Sequence, residues 1–176
     1  MATFGNTSIG STPVSIHSST NNKTVSKFTL SEAGTVTKLS IYLDGNGTGS
    51  GPQVIKGVIY DDDGASAVPG TLMGTSEEVS IADAAAAAWV DFTFASPVAL
   101  TSGNWYLGLI AGSNIRGAQM YQESTSPTDN IWKVSDTYTD GASDPFGAAT
   151  TQTDKLSVYA TYTVPVSGSG AITILS

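Results

Sequence analysis

Three consecutive aspartates form the densest set of potential metal ligands in the chain. Asp61, Asp62 and Asp63 are followed by Gly64, and carboxylate and carbonyl oxygens are the ligands that Ca²⁺ takes. The run lacks the spacing and the closing glutamate of an EF-hand loop, and Asp and Gly also favour ordinary turns. The sequence therefore leaves a structural Ca²⁺ site and a simple acidic turn both open, and it predicts no other cofactor.

Residues for nucleophilic or acid–base catalysis are scarce. The chain has no cysteine, and its single histidine, His17, lies in a polar stretch of Ser, Thr and Asn. A catalytic triad needs a base oriented by a carboxylate, and nothing next to His17 indicates one. Asp91 lies in an alternating segment that would point it away from the core. We therefore expect a protein that is not an enzyme.

Exposed aromatic rings are the remaining candidate for binding chemistry. Tyr121 and Trp132 lie in the weakly patterned region 115–140, and Tyr138 is a third candidate. Such rings can stack on sugars or anchor a protein interface, and the sequence does not separate these two interpretations. Trp105 and Phe92, in contrast, are predicted to fill the core.

The elements that must position these residues are short alternating strands. In segment 37–43, Leu39, Ile41 and Leu43 share one face. The alanine run 84–88 is too short for a stable helix and is predicted as a loop or a single turn. Turn residues at nearly regular spacing are typical of a β-sandwich or barrel. Comparable patterns predict strands at 27–30, 53–60, 78–81, 90–94, 104–110, 118–122, 130–134 and 155–164.

Composition narrows the classes of partner. A net charge of −8 with scattered basic residues argues against nucleic acid and anionic membranes as partners, and no apolar run is long enough for a transmembrane helix. Only 12% of residues are charged, which is typical of extracellular or virion β-proteins. The first residues lack the pattern of a secretory signal peptide, so we expect synthesis in a cytoplasm.

The chain divides into a predicted β-sandwich domain, 1–164, and a C-terminal segment, 165–176. That segment begins with Pro165 and Val166, which are followed by a linker, Ser167–Gly170, and a β-prone hexapeptide. It is interpreted either as the last strand of the same sheet or as an arm that adds a strand to a neighbouring subunit. The arm residues would be Ile172, Ile174 and Leu175.

Turn and core-strand motifs along residues 4–163 are shared with a known module. The segments that carry the resemblance are 4–7, 27–36, 41–45, 58–61, 69–72, 105–109, 138–141, 144–147 and 156–160. Together they resemble a jelly-roll-like β-sandwich module of bacteriophage virion proteins and large secreted bacterial proteins. The resemblance implies an all-β, jelly-roll-like antiparallel β-sandwich; it implies no catalytic or binding residue, and the C-terminal arm lies outside it.

Three hypotheses for function follow. The first is a non-enzymatic virion protein made in the host cytoplasm, such as a capsid decoration (cementing) protein or a tail or fibre component. Its partners would be its own copies and other virion proteins such as the major capsid protein, met through sheet edges and terminal arms. The alternatives are extracellular: a carbohydrate-binding module that recognises surface glycans, or a filament subunit that uses donor-strand pairing.

Overall fold

The computed structural model describes residues 1–16, 22–49, 51–66, 68–112, 116–124 and 131–165. Within these residues the chain is an antiparallel β-sandwich of two sheets, which confirms the predicted all-β class. In chain order the strands are β1 (Ala2–Gly5), β2 (Thr12–Ser15), β3 (Asn22–Leu30), β4 (Gly34–Gly45), β5 (Gln53–Asp61), β6 (Leu72–Ile81), β7 (Ala88–Leu100), β8 (Gly103–Gly112), β9 (Ala118–Ser124), β10 (Ile131–Ser135), β11 (Thr150–Gln152), β12 (Asp154–Leu156) and β13 (Val158–Thr163).

The two sheets have different strand orders. The six-stranded sheet runs β11-β10-β3-β8-β5-β6. The seven-stranded sheet runs β1-β13-β4-β9-β12, with β2 paired to β9 and β7 paired to β4. Strand β4 is its centre, because β7 pairs along one side and β13 and β9 share the other.

The main core lies between the sheets and follows the predicted alternation. Leu39, Ile41 and Leu43 of β4 are all buried, as are Phe92 and Trp105, which confirms those two aromatics as core residues. Segment 82–87 precedes β7 without forming a helix, so the alanine run is the loop that its length predicts.

A second hydrophobic cluster covers the opposite face of the six-stranded sheet. It is built under the segment 136–149, which contains a 3₁₀ turn at Tyr138–Asp140. The segment is fastened to the turn after β5: Phe146 N donates to Gly70 O (2.9 Å) and Leu72 N donates to Asp144 Oδ1 (3.1 Å). The buried members are Val25, Val58, Tyr60, Tyr106, Ile110, Trp132, Tyr138 and Phe146.

Several predicted strand boundaries are wrong. Strand β6 begins at Leu72 instead of residue 78, and β7 continues to Leu100 instead of residue 94. The predicted strand 155–164 is divided into β12 and β13, which pair with β9 and β4 respectively. The division falls at buried Ser157, whose backbone N–H donates to Tyr121 O (3.0 Å) and whose Oγ accepts from Gly10 N (2.8 Å). Strand β3 begins at Asn22, five residues before the predicted start at Lys27, because it pairs with β8 along its whole length.

The chain ends fall partly beyond these residues. The arm residues Ile172, Ile174 and Leu175, and also His17, lie outside the described ranges, so the arm stays a prediction. No helix within those ranges has the length and apolar composition that a membrane crossing demands.

Candidate functional site

Of the three predicted aromatic candidates, only Tyr121 is partly exposed. Trp132 is 7% exposed and Tyr138 is 8% exposed, so the expectation that these two rings are accessible is wrong. Both rings belong to the second cluster, since segment 136–149 folds back over the face of the sheet on which they lie. Trp132 packs edge-to-face on Tyr106 (4.9 Å between ring centroids), and Tyr138 Oη donates to Glu78 Oε2 (2.8 Å).

Tyr121 belongs to a row of four half-exposed rings on the outer face of the seven-stranded sheet. In order, the rings are Tyr121, Tyr42, Trp89 and Tyr159, on β9, β4, β7 and β13. Successive ring centroids are 5.0, 5.3 and 4.9 Å apart, and the planes meet at 83°, 72° and 65°. Each contact is therefore edge-to-face, the geometry that aromatic pairs prefer. We call these four residues the aromatic row.

Strand register explains why the aromatic row forms. Tyr42 lies directly opposite Trp89 on β7. Two residues earlier on β4, the small buried residue Ser40 lies opposite both Tyr159 and Asp91. Trp89 and Tyr159 stand on strands that flank β4 from opposite sides, so their rings meet above β4.

Polar groups surround the aromatic row. The Tyr121 hydroxyl donates to Asp44 Oδ2 (2.8 Å), and this hydrogen bond to a carboxylate raises the pKa of Tyr121. Beyond Tyr159, Asp91 pairs with Lys38 Nζ (2.5 Å) and accepts from Ser40 Oγ (2.6 Å). Burial raises the pKa of Asp91, but these hydrogen bonds outweigh it and hold that pKa below its usual value.

The sequence contained the signal for half of this site. Alternation places Leu39, Ile41 and Leu43 on the core face, so Tyr42 must lie on the other face. The pairing of β4 with β7, which brings Trp89 beside it, is a long-range contact and has no local signal. The resulting surface offers ring edges and faces, three phenol groups and ionised side chains, all of which can contact a binding partner.

The acidic turn has separate partners for its three carboxylates. Asp62 accepts from Tyr106 Oη (3.0 Å) and pairs with Lys27 Nζ (2.6 Å), whereas Asp63 accepts from Thr71 N (2.7 Å) and Thr71 Oγ1 (2.5 Å). Asp61 Oδ1 accepts from the next backbone N–H, that of Asp62 (2.7 Å). In the part of the chain that the structure describes, no three His, Cys, Asp or Glu side chains are grouped to hold a metal ion.

A buried charge lies beneath segment 136–149. The side chain of Lys23 is 0% exposed, and its Nζ lies 2.9 Å from Asp136 Oδ2. The same Nζ donates to Ser143 Oγ (2.7 Å) and Ser143 O (3.2 Å). Burial lowers the pKa of Lys23, and the carboxylate of Asp136 acts in the opposite direction. Lys23 is thus a buried lysine outside the aromatic row. The sequence does not predict its burial, because the segment that covers it has no periodic pattern.

Comparison with known proteins adds no family to this geometry: no family model matches the chain, and no curated protein matches it either.

Proposed function

We propose that the chain is a non-enzymatic structural protein of a phage virion, a capsid decoration or a tail or fibre component. It assembles with its own copies and with other virion proteins such as the major capsid protein. Its sandwich is wound as a jelly roll, as the sequence resemblance implies. The observation that carries this proposal is the aromatic row on the outer face of the seven-stranded sheet.

The aromatic row has the composition of an interface anchor. Trp and Tyr are enriched at the centres of protein interfaces and among the residues that contribute most of the binding energy. The four rings already hold one another edge-to-face, so a partner that covers them orders few additional side-chain rotations. The ion pair of Lys38 with Asp91 lies beside the row and provides part of a polar rim.

Open strand edges support assembly as well. Among the described residues, β6 pairs only with β5 and β7 pairs only with β4, and such edges can accept a further strand. Part of the β7 edge is protected by Pro97, a residue without a backbone N–H. The C-terminal arm with Ile172, Ile174 and Leu175 is proposed to supply the strand that pairs with an edge of a neighbouring subunit.

A carbohydrate-binding module is the second candidate, and the aromatic row favours it too. Sugar faces stack on exposed rings, and carboxylates such as Asp44 and Asp91 beside the row can accept hydrogen bonds from sugar hydroxyls. The edge-to-face angles of 65° to 83° do not give the flat, coplanar platform that a long polysaccharide needs. For that reason we place assembly first.

The test is the mass of the full chain in solution, measured by light scattering across a concentration series. We expect the wild type to form a closed oligomer. In Trp89→Ala and in Tyr42→Ala, the concentration at which half of the oligomer dissociates should rise by roughly tenfold or more, as for interface anchors. Thr93→Ala is the matched control, because Thr93 is exposed two positions beyond Asp91 on β7 and lies outside the row. Deletion of residues 166–176 tests the arm in the same assay.

Two outcomes decide against the proposal. A monomer at every concentration, together with saturable binding of a polysaccharide that Trp89→Ala abolishes, would establish the carbohydrate-binding alternative. Open-ended growth with concentration would instead indicate a filament subunit. An oligomer that the deletion leaves unchanged would remove the arm from the mechanism but keep the aromatic row.

A further inference from the structure

The Lys23 side chain is enclosed, and its amine nitrogen contacts a carboxylate oxygen of Asp136. On β3, Lys23 lies opposite Val134 of β10, two residues before Asp136. Nζ and Asp136 Oδ2 are 2.9 Å apart, and the two side chains are 0% and 13% exposed. The amine nitrogen is thus held in direct contact with an oxygen of the carboxyl group whose Cγ it would attack.

The surroundings of this pair are largely apolar. Nζ lies 4.6 Å from the ring centroid of Phe146 and 5.1 Å from that of Tyr60. The Tyr60 hydroxyl donates to Ser143 O (2.7 Å), which also accepts from Lys23 Nζ. Aromatic walls and a backbone carbonyl therefore replace water around the ammonium group.

Burial raises the free energy of the charged forms of both side chains. Removal from water disfavours the ammonium form of Lys23 and the carboxylate form of Asp136 alike. Hydrogen bonds from the Ser143 backbone and from Lys23 offset burial and keep the pKa of Asp136 below its usual value. A neutral amide would remove the two charges of this ion pair at once. Asp144 is a second carboxylate whose charge acts on Lys23.

We propose that Lys23 and Asp136 condense to an intramolecular amide, an isopeptide cross-link between β3 and the segment after β10. A proton passes from Nζ to the carboxylate, and the amine nitrogen then bonds to Cγ of Asp136. The Cγ–O bond to the protonated oxygen breaks, and that hydroxyl leaves as water with a second proton from Nζ. One water is lost, no electrons are transferred and no co-reactant is needed.

The cross-link is independent of the proposed function and of any partner. It closes a covalent ring from residue 23 to residue 136 in a chain that has no cysteine and hence no disulfide. It also fastens the covering segment 136–149 to the sheet beneath it. The reaction requires the folded arrangement of the two side chains, so it takes place after folding. The amide bond that it forms persists when the protein is denatured.

The test is the intact mass of the purified full chain, followed by amine labelling in denaturant. We expect a mass below the sequence mass by one water molecule. The label should appear on every lysine except Lys23, that is, on five of six: Lys27, Lys38, Lys56, Lys133 and Lys155. Trypsin should fail to cleave after Lys23 and should release peptide 1–27 joined to peptide 134–155. The joined peptide separates the cross-link from loss of water within a single peptide.

Two variants serve as matched controls. Lys23→Arg should restore the full sequence mass, because arginine does not form the amide. Lys27→Arg removes a lysine from the same strand and from an ion pair with a comparable distance of 2.6 Å, but its side chain is 28% exposed; it should keep the missing water. A folded wild-type chain at full sequence mass with six labelled lysines would overturn the proposal and leave Lys23 and Asp136 as a buried ion pair.

Discussion

The rings of Trp89 and Tyr159 meet 4.9 Å apart above β4, although the two residues belong to strands on opposite sides of it. Opposite Tyr159, β4 carries the small residue Ser40, whose hydroxyl donates to Asp91 Oδ1. The small residue leaves space for the two large rings to approach. The contact joins β7 and β13 through their side chains, across the strand that lies between them.

The first prediction concerns the three tryptophans. Trp105 and Trp132 are 4% and 7% exposed, whereas Trp89 is half-exposed. At a concentration at which the chain is monomeric, acrylamide should therefore quench Trp89 and leave the other two nearly untouched. Trp89→Phe should remove most of the quenching, and Trp132→Phe should retain it. Equal quenching in both variants would contradict the burial of Trp132.

The second prediction concerns the segment over the six-stranded sheet. Phe146 is 1% exposed and packs edge-to-face on Tyr60 with 5.0 Å between centroids. Phe146→Ala should lower the free energy of unfolding by about 3 kcal/mol, through lost burial and the cavity left behind. Urea denaturation measures this change. Ile9→Ala, at a side chain that is 54% exposed, should cost less than about 0.5 kcal/mol; similar losses for both would show that segment 136–149 is not structural.

The third prediction concerns alkaline pH. Burial, as the largest cause, raises the pKa values of Tyr60, Tyr106 and Tyr138 well above 10, and nearby carboxylates add to it. The unfolded chain releases these phenol protons at about pH 10 while the native chain keeps them. The unfolded state then binds fewer protons, so stability is full below pH 10 and falls above it, by up to about 1.4 kcal/mol per pH unit for each tyrosine.

Lys133 opposes this trend, because burial lowers its pKa and makes stability rise with pH below its usual value of about 10.4. Lys23 acts in the same direction only in a chain that lacks the cross-link, where its amine titrates with a lowered pKa. Above the usual lysine pKa the lysine contribution no longer changes with pH, so the three tyrosines decide the trend there. Absorbance at the phenolate band, followed together with circular dichroism, should show these three phenols ionising only as the fold is lost. Ionisation of all seven tyrosines before unfolding would refute the prediction.

The fourth prediction concerns Gly112 at the end of β8. A Cβ there would come within 2.7 Å of Tyr138 Cβ and closer still to its ring, which holds Glu78 through its hydroxyl. Gly112→Ala should therefore displace the 3₁₀ turn and cost about 2 kcal/mol, as for overpacked cores. In the double variant with Tyr138→Ala, the cost of the added methyl group should largely disappear. If the two changes are additive, the ring and Gly112 are not in contact.

The sequence predicted the parts of this fold that depend on local alternation. Leu39, Ile41 and Leu43 were enough to place the core face of β4, and hence Tyr42 on the outer face. The burial of Trp132 had no such signal, because its cover is the non-periodic segment 136–149. That segment is held by contacts far apart in sequence, such as Asp144 with Leu72 and Tyr138 with Glu78.

The same distinction applies to the candidate site. Tyr121 was recognised as a surface aromatic, but Trp89 and Tyr159 join it only because β7, β4, β13 and β9 are neighbours in one sheet. Lys23 looks like an ordinary surface lysine in the sequence. Its enclosure depends on Ser143 and Phe146, more than a hundred residues away.

Because the outer face of the six-stranded sheet is covered, the two sides of the sandwich are not equivalent for binding. Segment 136–149 and its aromatic cluster occupy the outward side of that sheet, so a face-to-face contact through a sheet surface falls on the opposite side, at the aromatic row. Two copies that met through this one face would be related by a two-fold axis, with their covered sides turned outward. Such a pair is closed, and growth beyond it would have to use a strand edge or an arm.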